Sequence, residues 1–193
     1  MDFIRKNFLD SAKLKKDFLS DDRNLQMLEE VIFLLAEKHN TGKKGLTCGN
    51  GGSACDAMHY AEELTGRFRK DRVALAAIAL TDPTHITCVS NDFGFEYIFS
   101  RSIEALGNKD DYLIAISTSG DSQNVIKAVE TAKNKDILTI GLLGKDGGIL
   151  KDMVDYAFVA PATTSDRIQE MHILLIHTII EGIERILFKE NYI

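Results

Sequence analysis

The chain reads as an α/β protein of three layers, a doubly wound parallel sheet with helices on both faces. Three observations predict this. Short apolar runs alternate with amphipathic stretches along the chain, the order that a parallel sheet with crossover helices requires. The runs are continuous, as in strands buried on both faces, and do not alternate polar with apolar. Several stop at glycine or serine just before a helical pattern begins, the junction at which ligands gather in such sheets.

Phe3, Phe8, Leu14 and Phe18 lie at roughly helical spacing and predict a helix over 3–19. Leu25, Leu28, Val31, Ile32 and Leu35 predict a second over 23–39, ended by the turn "NTGKKG". "GLTCG" (45–49) is an apolar run that stops at glycine and predicts a buried strand. A helix follows from about Ser53, its expected cap, to Gly66. "VALAAIAL" (73–80) reads as a strand core or a buried connector. Asp82 is a candidate N-cap, with Pro83 at the first helical position. Then come a helix near 94–106, a strand at 111–117, a helix near 122–134 and a strand at 137–143. "GGILKDM" predicts a short helix, "YAFVA" (156–160) a strand, and 165–188 a long closing helix. The two leading helices (1–40) and the closing one are additions to the doubly wound core, and their apolar faces predict an oligomer.

A chain of 193 residues suits one globular domain, here 1–193. The net charge is −6 and no Lys/Arg block stands out, which argues against a nucleic-acid partner. A small anion remains compatible, because local loop geometry outweighs a modest global charge. Three cysteines form no metal-binding pair, and their sparse, odd count suits a reducing compartment with thiols used as small apolar residues. "MDFIRKNFLDSAKLKKDFLSDD" lacks the apolar run of a secretory signal. No stretch approaches the ~20 apolar residues of a spanning helix. The expectation is a cytoplasmic protein with no membrane partner.

Two loops at strand ends carry chemistry. In "CGNGGSACD", Gly49, Gly51 and Gly52 let the backbone approach a ligand closely. The spacing is neither G-x-G-x-x-G nor a Walker A loop, so no nucleotide is expected. In "ISTSGDSQNVIKA" (116–128), Ser117, Thr118, Ser119 and Ser122 surround the start of a helix. Hydroxyls and free helix-start N–H groups form a neutral donor nest suited to a phosphate dianion. A serine-rich turn with capping hydroxyls is the plainer alternative. Position after an apolar strand, with four hydroxyls in six residues, favours the phosphate.

On the first of these helices His59 and Glu63 are i and i+4 and share a face, whereas Glu62 falls about 100° away. A surface hydrogen-bonded pair is the alternative reading. On the closing helix Asp166, Gln169, Ile173 and His177 follow in steps of 3, 4 and 4, one continuous stripe. His177 stands within the apolar "ILLIHTII", where a buried bundle histidine is the commoner outcome. His172 lies off the stripe.

"STSGDSQNVIKA" resembles the phosphosugar-binding signature of the sugar isomerase (SIS) domain family. "CGNGGSACDAMHYAEELTGRF", "CVSNDFGFEYIFSR", "LLGKDGG" and "DRIQEMHILLIH" resemble blocks of its heptose-phosphate branch, in the same order and over essentially the whole chain. The resemblance implies a flavodoxin-like sheet and the isomerisation of D-sedoheptulose 7-phosphate to D-glycero-D-manno-heptose 7-phosphate for surface polysaccharide. It also implies a homotetramer with active sites between subunits. By the same matching, Glu63 and His177 are the acid/base pair. One zinc per subunit lies near His59, Glu63, Gln169 and His177. Asn50, Gly51, Gly52 and Ser53 line the sugar, Asn91 and Asp92 meet its hydroxyls, Ser117, Thr118, Ser119 and Ser122 hold the phosphate, and Asp166 and Gln169 face the substrate. Gln169 and His177 stand eight residues apart, about 12 Å along a straight helix. One ion joins them only if both side chains extend toward each other or the ligands come from different subunits. "ATTSDRIQ" departs from the family's linker before the last helix, a matter of loop packing. A non-catalytic branch that binds a bacterial replication initiator shares the fold and an "RIQEMH" stretch; the resemblance implies other residues there at the positions of Glu63 and His177, both kept here. An isomerase of another phosphosugar is the remaining alternative.

Overall fold

In the computed structural model, which describes residues 1–192, five parallel strands lie in the order β2-β1-β3-β4-β5. They are β1 (Gly45–Gly49), β2 (Ala77–Ala79), β3 (Tyr112–Ser117), β4 (Leu138–Gly144) and β5 (Tyr156–Ala160). The helices are α1 (Asp2–Leu19), α2 (Asp22–Asn40), α3 (Gly52–Thr65), α4 (Pro83–Asp92), α5 (Ile98–Leu106), α6 (Gln123–Asn134), α7 (Leu150–Met153) and α8 (Ser165–Leu187). The three-layer α/β expectation holds, and the strand order is the flavodoxin-like one.

Strand β3 shows how the layers form, since its six residues are all buried and alternate between two cores. Tyr112, Ile114 and Ile116 join Ile140, Leu142 and Phe158 against α1, α2, α3 and α8. Leu113 and Ala115 join Leu46, Cys48 and Leu143 against α4, α5, α6 and α7. The chain leaves β1 outward to β2, then returns to β3 on the other side. The switch point therefore falls at the carboxyl ends of β1 and β3, where open sheets bind ligands. The glycine turn and the serine loop both lie there.

The cap of α4 forms as its sequence dictates: Asp82 accepts from the His85 N–H at 2.7 Å, with Pro83 in the first turn. Three details differ from expectation. Ser53 does not cap α3; Gly51 does, because its φ of +54° turns the chain into the helix, and Ser53 lies buried in the first turn. Only 77–79 of the run 73–80 joins the sheet, because the Leu75 N–H is bound at 2.9 Å by the Leu64 carbonyl at the end of α3. Before α5, residues 95–97 form a 3₁₀ turn behind Gly94, whose φ of +109° ends α4. Of the cysteines, Cys48 alone is a buried apolar residue; Cys55 and Cys88 are exposed. No helix of the described residues is long and apolar enough to cross a membrane.

The leading helices divide their apolar residues. Leu14 and Phe18 of α1, with Leu28, Val31 and Leu35 of α2, pack on Ile176, Ile179 and Ile183 of α8. Phe3, Phe8 and Leu9, and Phe33 of α2, stay exposed. The stripe read as one helical face thus serves two surfaces.

Candidate active site

Helix α3 places His59 and Glu63 one turn apart, and the imidazole Nε2 sits 3.2 Å from the Glu63 carboxylate. Helix α8 crosses α3 and brings the Nε2 of His177 to 3.4 Å from that of His59. The ligand atoms of all three lie within 4.8 Å of one another. Two residues legible as an i, i+4 pair thereby gain a third from 114 positions downstream of Glu63. Glu62, with a side chain 66% exposed, comes no nearer to the His59 Nε2 than 3.8 Å and lies on the solvent side of the pair.

The surroundings set the character of His177. Its ring lies edge-on to His59, with centroids 5.0 Å apart, and tilted against Phe68 at 5.7 Å. Burial, then the neighbouring His59, hold the His177 imidazole below its ordinary value, with Glu63 pulling the other way. At neutral pH the ring therefore offers one donor and one acceptor nitrogen. Two imidazole nitrogens and a carboxylate oxygen make a donor set suited to zinc.

The serine loop closes β3. Ser117 Oγ lies 3.2 Å from Ser122 Oγ and 3.5 Å from Ser119 Oγ, and accepts from the Gly120 N–H at 3.1 Å. Ser122 stands at the N-cap of α6 but makes no side-chain cap bond. Its hydroxyl points into the cluster, which weighs against the plain capping alternative. Ser165, at the start of α8, donates to Thr118 Oγ1 at 3.3 Å. Gly120 has a φ of +75°, and a Cβ there would meet the Gly147 carbonyl oxygen at 1.9 Å. Only glycine allows this loop to seat against residues 147–148.

The glycine turn is tied to the serine loop through a residue that sequence reasoning missed. Asn50 and Asn124 exchange paired amide hydrogen bonds of 2.9 and 2.8 Å, and Asn124 is buried in the first turn of α6. An asparagine ahead of the apolar "VIKAV" was the available signal. Gln169, which the family resemblance places on the metal, lies over Gly52: a Cβ there would meet its amide nitrogen at 2.3 Å. Asn91 and Asp92 end α4 with their side chains bonded to each other at 2.7 Å. The exposed Asp166 carboxyl pairs with Arg167, and Thr164 first, then Arg167, hold it below the usual range. His172 is fully buried, its Nε2 bonded to the Leu143 carbonyl at 3.0 Å.

The SIS domain family model matches residues 7–144. The phosphoheptose isomerase of Fusobacterium nucleatum is 58% identical over 94% of this chain and 93% of its own length. That of Vibrio cholerae is 50% identical over 95% and 97%. The structure of the phosphoheptose isomerase from Neisseria gonorrhoeae superposes with a TM-score of 0.88 at 38% identity, covering 95% of this chain and 97% of that one. The switch-point loops, the convergent His59, Glu63 and His177 and these likenesses agree: the chain belongs to the SIS domain family, in its phosphoheptose isomerase branch.

Proposed function

We propose that this chain isomerises D-sedoheptulose 7-phosphate to D-glycero-D-manno-heptose 7-phosphate. The observation that carries the reading is the meeting of His59 and Glu63 on α3 with His177 on α8. It is supported by relatives that are phosphoheptose isomerases over nearly the full chain.

The reaction moves a proton from C1 of the ketose to C2, through an enediol, while another proton passes from the C1 oxygen to the C2 oxygen. A base must reach both carbons, and an acid both oxygens. Glu63 and His177 supply these groups from opposite helices. Ser117, Thr118, Ser119 and Ser122, with the N–H groups opening α6, hold the phosphate as neutral donors. Asn50, the turn 51–53 and Gln169 orient the sugar chain, and Asn91, Asp92 and Asp166 meet its outer hydroxyls.

His59, Glu63 and His177 would hold a zinc ion, a donor set of two imidazole nitrogens and a carboxylate oxygen that suits it. When bound, the metal polarises the carbonyl and stabilises the negative charge of the enediolate.

The site is completed between subunits of a homotetramer in this reading. Ser165, at the serine loop, precedes His177 by twelve residues, about 18 Å of helix. A seven-carbon chain does not extend that far, which favours a phosphate held by the serine loop of one subunit and acid/base groups supplied by another. The exposed Phe3, Phe8, Leu9 and Phe33 offer the surface for it. Helix α8 lies beyond the family match at 7–144 yet supplies His177, which supports reading 1–193 as one domain. A cytoplasmic setting is part of this reading, supported by three free cysteines that suit a reducing compartment.

The test is conversion of sedoheptulose 7-phosphate by the purified protein, followed by NMR, as isolated, with a chelator and with zinc restored. Conversion that the chelator removes and zinc restores is expected. No conversion in any state contradicts the reading, and conversion indifferent to the chelator removes the metal from it. Mass in solution tests the assembly, and a monomer at assay concentration contradicts it.

A further inference from the structure

We propose that Arg72 is a positioning residue of the proton-transfer site, fixing α3, which carries His59 and Glu63, against α8, which carries His177. The proposal rests on the isomerase reading above.

Helix α3 stops at Thr65 and leaves its last carbonyls without helical partners. Arg72 turns back beneath them. Its Nη2 donates to the Glu63 carbonyl at 2.7 Å, and its Nη1 to those of Leu64 and Gly66 at 2.8 and 3.0 Å. Its Nε donates to Glu184 of α8 at 2.8 Å. Both side chains are 1% exposed. The second oxygen of Glu184 accepts from the Tyr192 hydroxyl at 2.6 Å. One planar guanidinium thus holds the backbone of Glu63 itself and, seven residues beyond His177, the helix opposite.

The same segment grips α8 at two earlier points. Phe68 packs on the His177 ring, and Arg69 pairs with Glu181 at 2.7 Å. His177, Glu181 and Glu184 follow in steps of 4 and 3, so they share one face of α8. Phe68, Arg69 and Arg72 meet them in the same order. The run "RFRKDR" is a strap lying along the helix that bears the acid/base histidine. A buried ion pair is weak evidence for stability, since apolar residues of similar volume often serve as well. Its bonds are directional, however, and the fixed fork of an arginine reaches the carbonyls of Glu63, Leu64, Gly66 and Val73 and a carboxylate where a lysine, a point charge, does not.

The experiment compares Arg72→Lys, Arg72→Ala and Glu184→Gln with wild type, per mole of folded protein and well below each Tm. In the variants that fold, kcat is expected to fall at least tenfold with KM within twofold, because among the described residues no hydrogen bond of Arg72 reaches Ser117–Ser122. The conservative Arg72→Lys and Glu184→Gln keep the test alive where Arg72→Ala does not fold. Asp111→Asn is the control: it removes a buried carboxylate paired with Lys44 at the far end of β3, so it should lower Tm and leave kcat unchanged. Selective histidine labelling follows the nuclear Overhauser contact between the His59 and His177 rings, which is expected to weaken in the Arg72 variants. Unchanged kcat in folded variants overturns the proposal, as does an equal loss of kcat in Asp111→Asn. If wild type does not turn over sedoheptulose 7-phosphate, the isomerase reading falls; the ring contact then decides for Arg72 alone, and its persistence in Arg72→Lys overturns the proposal.

Discussion

Replacing Gly120 by alanine tests the serine loop as a phosphate site. The new Cβ would lie 1.9 Å from the Gly147 carbonyl oxygen and 2.7 Å from the Gly148 nitrogen. Both are backbone atoms, so no side-chain rotation relieves the clash. Reaching even a tight 3.0 Å requires the two loops to part by about 1.1 Å. Three bonds span or brace that gap: Gly120 N–H to Ser117 Oγ at 3.1 Å, Leu150 N–H to the Gly120 carbonyl at 3.0 Å, and Ile149 N–H to Asp121 at 3.0 Å. Lengthened by 1 Å, such bonds leave the hydrogen-bonding range. The φ of +75° adds about 1–2 kcal/mol for a residue with a Cβ, and overpacking adds about 1–3 kcal/mol. For a chain of this size, a loss of about 2–5 kcal/mol lowers Tm by about 4–20 °C. A phosphate that loses one charge-assisted bond loses about 1.5–3 kcal/mol, which raises KM about 10- to 100-fold. Thermal unfolding by circular dichroism and initial rates over a range of substrate read both effects. A Gly120→Ala protein with Tm within 1 °C of wild type and an unchanged KM would refute the reasoning.

Two further outcomes are expected. Glu63→Gln and His177→Asn should each lower kcat by about 10²–10⁴, the scale of general acid–base catalysis, with little change in Tm; near-normal rates in both folded variants would remove them from the mechanism. Stability should fall on acidification from pH 6.5 toward 4. Burial depresses His39 and His172 to about 4 from 6.5, so the unfolded chain binds more protons in that window. The stability these neutral rings contribute is complete above 6.5 and lost as pH falls through it, at about 1.4 kcal/mol per pH unit for each. Asp56, pushed up to about 6 by burial, opposes one of them and leaves a net slope near that of a single histidine. Urea unfolding at pH 7, 6 and 5 checks this, and a flat profile would show that the two rings are not buried neutral.

The sheet was legible because its strands are continuous apolar runs ended by glycine or serine, and the His59/Glu63 pair because helical period alone puts i and i+4 on one face. The place of His177 needed the crossing of α8 over α3, which no periodicity encodes. Ser53 was misread as a cap because the φ of +54° at Gly51 belongs to the backbone. The strap was missed because "RFRKDR" has the composition of a solvated charge run. Only the packed structure shows that Arg72 and Glu184 are buried together. In α1 the pattern gave the helix but could not separate Leu14 and Phe18, which face α8, from Phe3 and Phe8, which face outward.

The central claim is that Glu63 and His177 carry a proton between C1 and C2. Conversion of sedoheptulose 7-phosphate in deuterium oxide, with the product read by NMR at C2, tests it most directly. The account predicts deuterium at C2 of the wild-type heptose to the extent that the base exchanges its proton with solvent, and product formed at least about 100-fold more slowly with Glu63→Gln. Product formed at the wild-type rate by folded Glu63→Gln, labelled or not, would contradict it.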